Sequence, residues 1–229
     1  MSRYALSLLA LLFAGCEVAP PANPEPYRRQ AALRRAEGKT DEAARLLAQA
    51  IALQPSVTRD HRATAADLRR ELAALRMSAD DLAGAEKLYR EALALLETTP
   101  RGTEAAIINL RTQLAGLCYR QSRLDDAAEC YRTVLALEVT TLGETHSDPL
   151  GTMSILGGLE LKRGKLAEAE ALFRRQLRGV QQVYGAEKRE ATSVLDNLAD
   201  VLAKAGQATE AARHRDEAKR IRQKLCDEC

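Results

Sequence analysis

One alanine recurs at a fixed interval through this chain: Ala43, Ala85, Ala127, Ala169 and Ala211 lie 42 residues apart. Other columns keep the same phase. Leu33, Leu75, Leu117, Leu159 and Val201 form one, and Ala31, Ala73, Ala115, Gly157 and Ala199 form a second. A third is bulky, Leu47, Tyr89, Tyr131 and Phe173, and is broken by Arg215. Self-similarity at a period of about 20–50 residues marks a stacked repeat array, in which each unit has an apolar face that it can bury only against its neighbours. Five such units account for nearly all of the 229 residues, so one array and no second domain is expected.

The units read as helical. Apolar residues are mostly Ala and Leu, there is no Trp, and aromatics make up 3% of the chain, so the β-branched and aromatic clusters of a sheet are missing. In the third unit Leu110, Leu114, Leu117 and Cys118 fall at helical spacing, Ser122 and Arg123 mark a turn, and Leu124, Ala127, Ala128, Tyr131 and Leu135 resume the stripe. The turn position is Gly38, Asp80, Ser122, Gly164 and Gly206, residue types that tolerate a left-handed backbone or cap the next helix. Each unit is therefore expected to be an antiparallel helical hairpin. Pro55 and Pro100 stand where helices should stop, and Asp148 with Pro149 reads as a cap and first-turn pair. With a formal charge of +2 and the signs interspersed, no polyanion-binding surface stands out, and nucleic acid is not an expected partner.

The first fifteen residues stand apart from the array. Arg3 is followed by a short apolar run from Tyr4 to Ala14, the pattern of a cleavable secretory signal and too short for a mature transmembrane helix. Leu12-Phe13-Ala14-Gly15-Cys16 resembles the lipobox of bacterial lipoproteins, which implies acylation of Cys16 by lipid chains such as palmitate. Phe13 departs from the leucine usual at its position, and the alternative is an ordinary signal with an incidental Cys. Residues 16–26 hold four prolines and read as an extended tether of about 3.1 Å per residue. Glu17 is not the Asp that lipoproteins of the inner membrane carry after the Cys, which points to the outer membrane, facing the periplasm.

The repeats resemble tetratricopeptide repeats (TPRs): Leu156-Gly157 on a first helix, then Gly164, Ala169 and Phe173 on a second. The 42-residue length, Asn197-Leu198-Ala199 and the phrase Leu142-Gly143-Glu144-Thr145-His146 are similar to the longer kinesin-light-chain type. The resemblance implies an all-α fold, an α-solenoid of five helix-turn-helix units forming less than one turn of a right-handed superhelix. The units are placed at about 27–58, 61–100, 103–142, 149–184 and 188–225, with a tail at 226–229. Gln30 and Gln176 replace an apolar or small residue seen in other units, so packing is expected to be weaker there. The charged last helix, Glu210 to Lys224 with Arg215 in the bulky column, reads as a solvated polar cap that ends the array.

No motif for catalysis, cofactor or metal is found. Gly38-Lys39-Thr40 ends like a phosphate loop but lacks its first glycine, and His146, Ser147 and Asp148 are consecutive and so cannot converge as a triad. His61 and His214 are isolated. Cys226 with Cys229, and less readily Cys118 with Cys130, are disulfide candidates in an oxidising compartment; Cys118 and Cys130 read equally well as small core residues.

In TPR arrays the first helix of each hairpin lines a concave groove, and the resemblance projects Arg28, Arg35, Arg70, Ala74, Gly116, Tyr119, Arg120, Gly158, Lys162 and Asn197 into it. Its floor column, Ala32, Ala74, Gly116 and Gly158, is small, and its walls are basic at the start and middle and more acidic at the end, with Asp196 and Asp200. The expectation is a membrane-anchored, non-catalytic scaffold that takes a peptide segment of an envelope protein. The alternatives are an assembly or pilot factor for an outer-membrane complex, and a secreted soluble TPR protein.

Overall fold

A computed structural model describes residues 23–54, 61–98, 102–186 and 188–227. The signal, Cys16, most of the tether, Pro55, Pro100 and Cys229 lie outside the described residues. Within them every regular element is a helix: α1 (Glu25–Ala36), α2 (Thr40–Ala52), α3 (Arg62–Ser78), α4 (Leu82–Glu97), α5 (Glu104–Arg120), α6 (Leu124–Leu142), α7 (Ser147–Lys162), α8 (Leu166–Tyr184), α9 (Arg189–Lys204) and α10 (Ala208–Asp227). They pair into five hairpins in the expected phase. The tether ends two residues earlier than expected, because Pro26 sits in the first turn of α1, where its missing N–H has no helical partner to lose.

Each hairpin turns in the same way. Gly38, Asp80, Ser122, Gly164 and Gly206 have φ of 77°, 60°, 60°, 77° and 79°. The next residue donates its N–H back five positions, as Lys39 to Arg34 (2.9 Å), Arg123 to Cys118 (2.9 Å) and Gln207 to Leu202 (2.8 Å), and the turn residue itself donates back three. This pair of bonds satisfies the carbonyls that a helix end leaves open, and it requires a left-handed residue after the cap.

Contacts divide the chain within α4 into residues up to Leu88 and residues from Tyr89 onward. In the first unit α2 packs on both α1 and α3. Its core is Ala31, Ala43, Leu47, Ala50, Leu68, Leu72 and Leu75, with Tyr27 and Ile51 at the margin. Leu33 is 64% exposed, whereas Leu75, Leu117, Leu159 and Val201 of its column are 7% exposed or less.

The second unit repeats this arrangement, α6 on α5 and α7, then α8 on α7 and α9, then α10 on α9. Ala127, Ala169 and Ala211 are buried to 1% or less. Gly157 shows why its column is small: a Cβ there would come within 2.8 Å of the Phe173 ring. Gln176, where poorer packing was expected, is buried and donates from Nε2 to the Leu150 carbonyl at 3.0 Å. A buried ion network was not foreseen. Glu160, 1% exposed, accepts from Arg132 and from Arg163, each at 2.5 Å, and Arg163 also bonds Asp125.

The cap of α7 differs from expectation. His146 is the N-cap residue, and its Nδ1 accepts from the Asp148 N–H at 3.3 Å, while Asp148 stands in the first turn. The last helix is also more than a solvated face: Arg215 donates to Asp200 at 2.9 Å and Arg222 to Asp196 at 2.7 Å.

Candidate interaction cleft

In the second unit, the small column opens a cleft between α5 and α7. A cavity of about 370 Å³ is lined by Gly116, Tyr119, Tyr131, Ser154, Ile155, Gly158, Leu159 and Lys162. Tyr131 comes from α6, beneath the two first helices. A Cβ added at Gly116 or Gly158 would meet nothing within 4 Å, so these glycines leave helix backbone open to a guest. Tyr119 and Ile155 are 44% and 51% exposed at the rim, large apolar groups left in water. The Lys162 ammonium lies 4.7 Å from the Tyr119 ring centre and donates to its hydroxyl. The cleft is thus mostly apolar, with one cation on its rim. Burial raises the Tyr131 phenol above its ordinary pKa.

Of the residues projected into a groove, Gly116, Tyr119, Gly158 and Lys162 meet in this cleft, and Arg28, Arg35 and Arg70 meet around a separate cavity in the first unit. Ala74, Arg120 and Asn197 line neither. At the groove end expected to be more acidic, Asp196 and Asp200 pair with Arg222 and Arg215 of α10. The projection did not include Tyr131, which comes from the second helix of its hairpin, or Leu159 of α7. The signal for Tyr131 was its place in the bulky column.

Cys118 and Cys130 are buried and border one cavity with Arg90 and Arg111, and burial raises the Cys130 pKa. Cys226 is an exposed thiol, and its candidate partner Cys229 lies outside the described residues. His146, Ser147 and Asp148 form a local cap: Ser147 donates to the Asp148 carboxylate at 3.2 Å beside the His146 contact. Among the described residues no helix is long and apolar enough to cross a membrane.

Residues 149–224, the last two hairpins, match the family profile of the tetratricopeptide repeat. The last two hairpins are thus similar to tetratricopeptide repeats. Solved structures extend the likeness over the whole array. The nearly identical TPR-like repeats of a kinesin light chain from Podosopora anserina align at 21% identity and a TM-score of 0.69, covering 90% of this chain and 98% of that one. BtubC from P. vanneervenii aligns at 22% and 0.63, covering 88% and 80%. YrrB, described as a TPR protein with an unusual peptide-binding site, aligns at 15% and 0.60, covering 88% of each chain. At these identities the likeness establishes the fold, the all-α solenoid class expected from the 42-residue period. No curated protein matches the sequence.

Proposed function

We propose that this TPR protein is a non-catalytic interaction scaffold, held at a bacterial membrane by lipid on Cys16, that receives a segment of a partner protein in the cleft between α5 and α7. The observation that carries the reading is the pair of open glycines, Gly116 and Gly158, under an exposed Tyr119 and Ile155. A folded chain gains nothing from leaving apolar side chains in water around empty backbone, whereas a guest side chain entering there removes both from solvent. YrrB, similar in fold, is a precedent for peptide binding by such an array. The outer membrane, facing the periplasm, is the location in keeping with Glu17, and an envelope protein is then the partner.

Photo-crosslinkers at Gly116 and Gly158 should capture a partner in cells, and one at the exposed Glu129 should not; capture only from Glu129 would refute the cleft. The anchor has its own test. Cys16→Ser should abolish acyl labelling and release the protein from membranes, and continued membrane fractionation would refute lipidation at Cys16.

A further inference from the structure

One face of α1 lacks the cover that the same face has in later hairpins. At the 42-residue period Gln30 and Leu33 correspond to Leu72 and Leu75 of α3, to Leu114 and Leu117 of α5, and to Leu198 and Val201 of α9, all six buried. Leu75 shares a core with Ala43 and Leu47 of α2, and Val201 with Ala169 and Phe173 of α8, so the cover is the second helix of the preceding hairpin. Among the described residues no helix takes that place on α1, and Gln30 and Leu33 are exposed. The face also carries opposite charges on either side of Leu33. Arg29, Leu33 and Glu37 follow at four-residue intervals, which puts them on one stripe of the helix. Among the described residues exposed Arg29 has no ion pair. Glu37 accepts from Arg34 at 2.9 Å and lies 3.0 Å from Lys39, in surface pairs that contribute little and exchange readily.

We propose that this face of α1 is a self-association surface, on which a second copy of the chain packs its own α1 antiparallel, Leu33 against Leu33. Antiparallel packing centred on Leu33 sets each Arg29 level with the other copy's Glu37, and each Gln30 level with the other copy's Ala36. The stripe is therefore complementary to itself about a two-fold axis, whereas parallel packing sets like charges side by side. Each Leu33 leaves water against its counterpart, which replaces the cover that a preceding hairpin supplies elsewhere. An anionic bilayer suits the stripe less well, because the charges of Arg29 and Glu37 cancel. A single helix pair is smaller than the interface of a stable dimer, so the contact is transient. It lies wholly within the first unit and rests neither on the α5–α7 cleft nor on the lipid anchor.

The test expresses two full-length copies with different epitope tags in one cell, one of them carrying a photo-crosslinker at Gln30. Illumination should join the two tags in one product. Arg29→Glu in both copies, or Glu37→Arg in both, should lower the yield about tenfold or more, because each sets like charges level with one another. Arg29→Glu in one copy with Glu37→Arg in the other should restore it, since both pairs are then opposite in sign. These residues are exposed, so neither change disturbs the core, and recovery by the mixed pair separates lost contact from lost folding. Leu33→Ala should lower the yield as well. No product joining the tags, a yield unaltered by the charge changes, or a mixed pair that fails to recover overturns the proposal. So does attachment of the crosslinker only to residues 17–22 of its own chain, to lipid or to a different protein.

Discussion

Ser122 holds a left-handed backbone, φ 60°, at a turn where three of the five hairpins use glycine. A side chain there is strained, and the Schellman-type bonds keep it in place. Ser122→Gly should therefore stabilise the protein by about 0.5–1 kcal/mol, the relief of strain exceeding glycine's greater unfolded entropy; urea unfolding would check this, and a lower midpoint would contradict it. Glu138 is a second strained residue, in charge instead of backbone. It is 6% exposed, one carboxylate oxygen lacks a hydrogen-bond partner, and burial pushes its pKa above the usual carboxylate range. A hydrogen bond with Thr152 and the nearby His146 oppose that shift, and Asp148 adds to it. Because the folded state holds the proton more tightly than the unfolded chain, ionised Glu138 destabilises the fold above its folded pKa, and that penalty lifts as pH falls through it. Glu138→Gln should raise the melting temperature at neutral pH and lose the advantage below about pH 4, where the unfolded carboxyl is protonated too. A pH-independent difference would rule out this account.

Among elements, the contact of α6 with α7 depends on more than apolar packing. Glu160 stands at the position that Cys118 fills one repeat earlier and Leu202 one repeat later, so a charge occupies an apolar column. Arg132 from α6 and Arg163 at the end of α7 neutralise it. Glu160→Ala should cost about 3 kcal/mol, the low end for breaking a buried pair, because Arg132 keeps Glu129 and Arg163 keeps Asp125. Equilibrium unfolding of the variant would measure it, and no loss would show the network contributes nothing net. The sequence displayed Glu160 as one acid among 32 Asp and Glu residues. Its partners lie 28 and 3 residues away, and only the stacking of one hairpin on the next identifies the distant one.

For the whole molecule, α10 is where the apolar columns end. On one side it covers Leu195, Leu198, Val201 and Leu202 of α9, all fully buried, using Ala211, Ala218 and Ile221. At the margin of that contact Arg215 and Arg222 pair with Asp200 and Asp196 of α9, and Arg213, Asp216, Lys219 and Arg220 are exposed. Terminal repeats need such a polar outer face to stay soluble. Truncation after Gly206 should expose the apolar face of α9, increase binding of a hydrophobic dye and lower solubility; a truncated chain that stays soluble and binds no dye would argue against this role.

By itself the sequence determined the periodic features: the hairpin count, the five left-handed turns, the buried alanine column and the small floor. Each follows from local backbone rules or from a contact repeated in every unit, and repetition makes such a contact visible as a column. Features confined to one unit were decided by tertiary structure: the Glu160 network, the hydrogen bond from Gln176 to Leu150, the pairing of Asp196 and Asp200 with α10, and the exposure of Leu33. Those depend on which side chain stands opposite across a helix interface, and a one-dimensional period does not specify that.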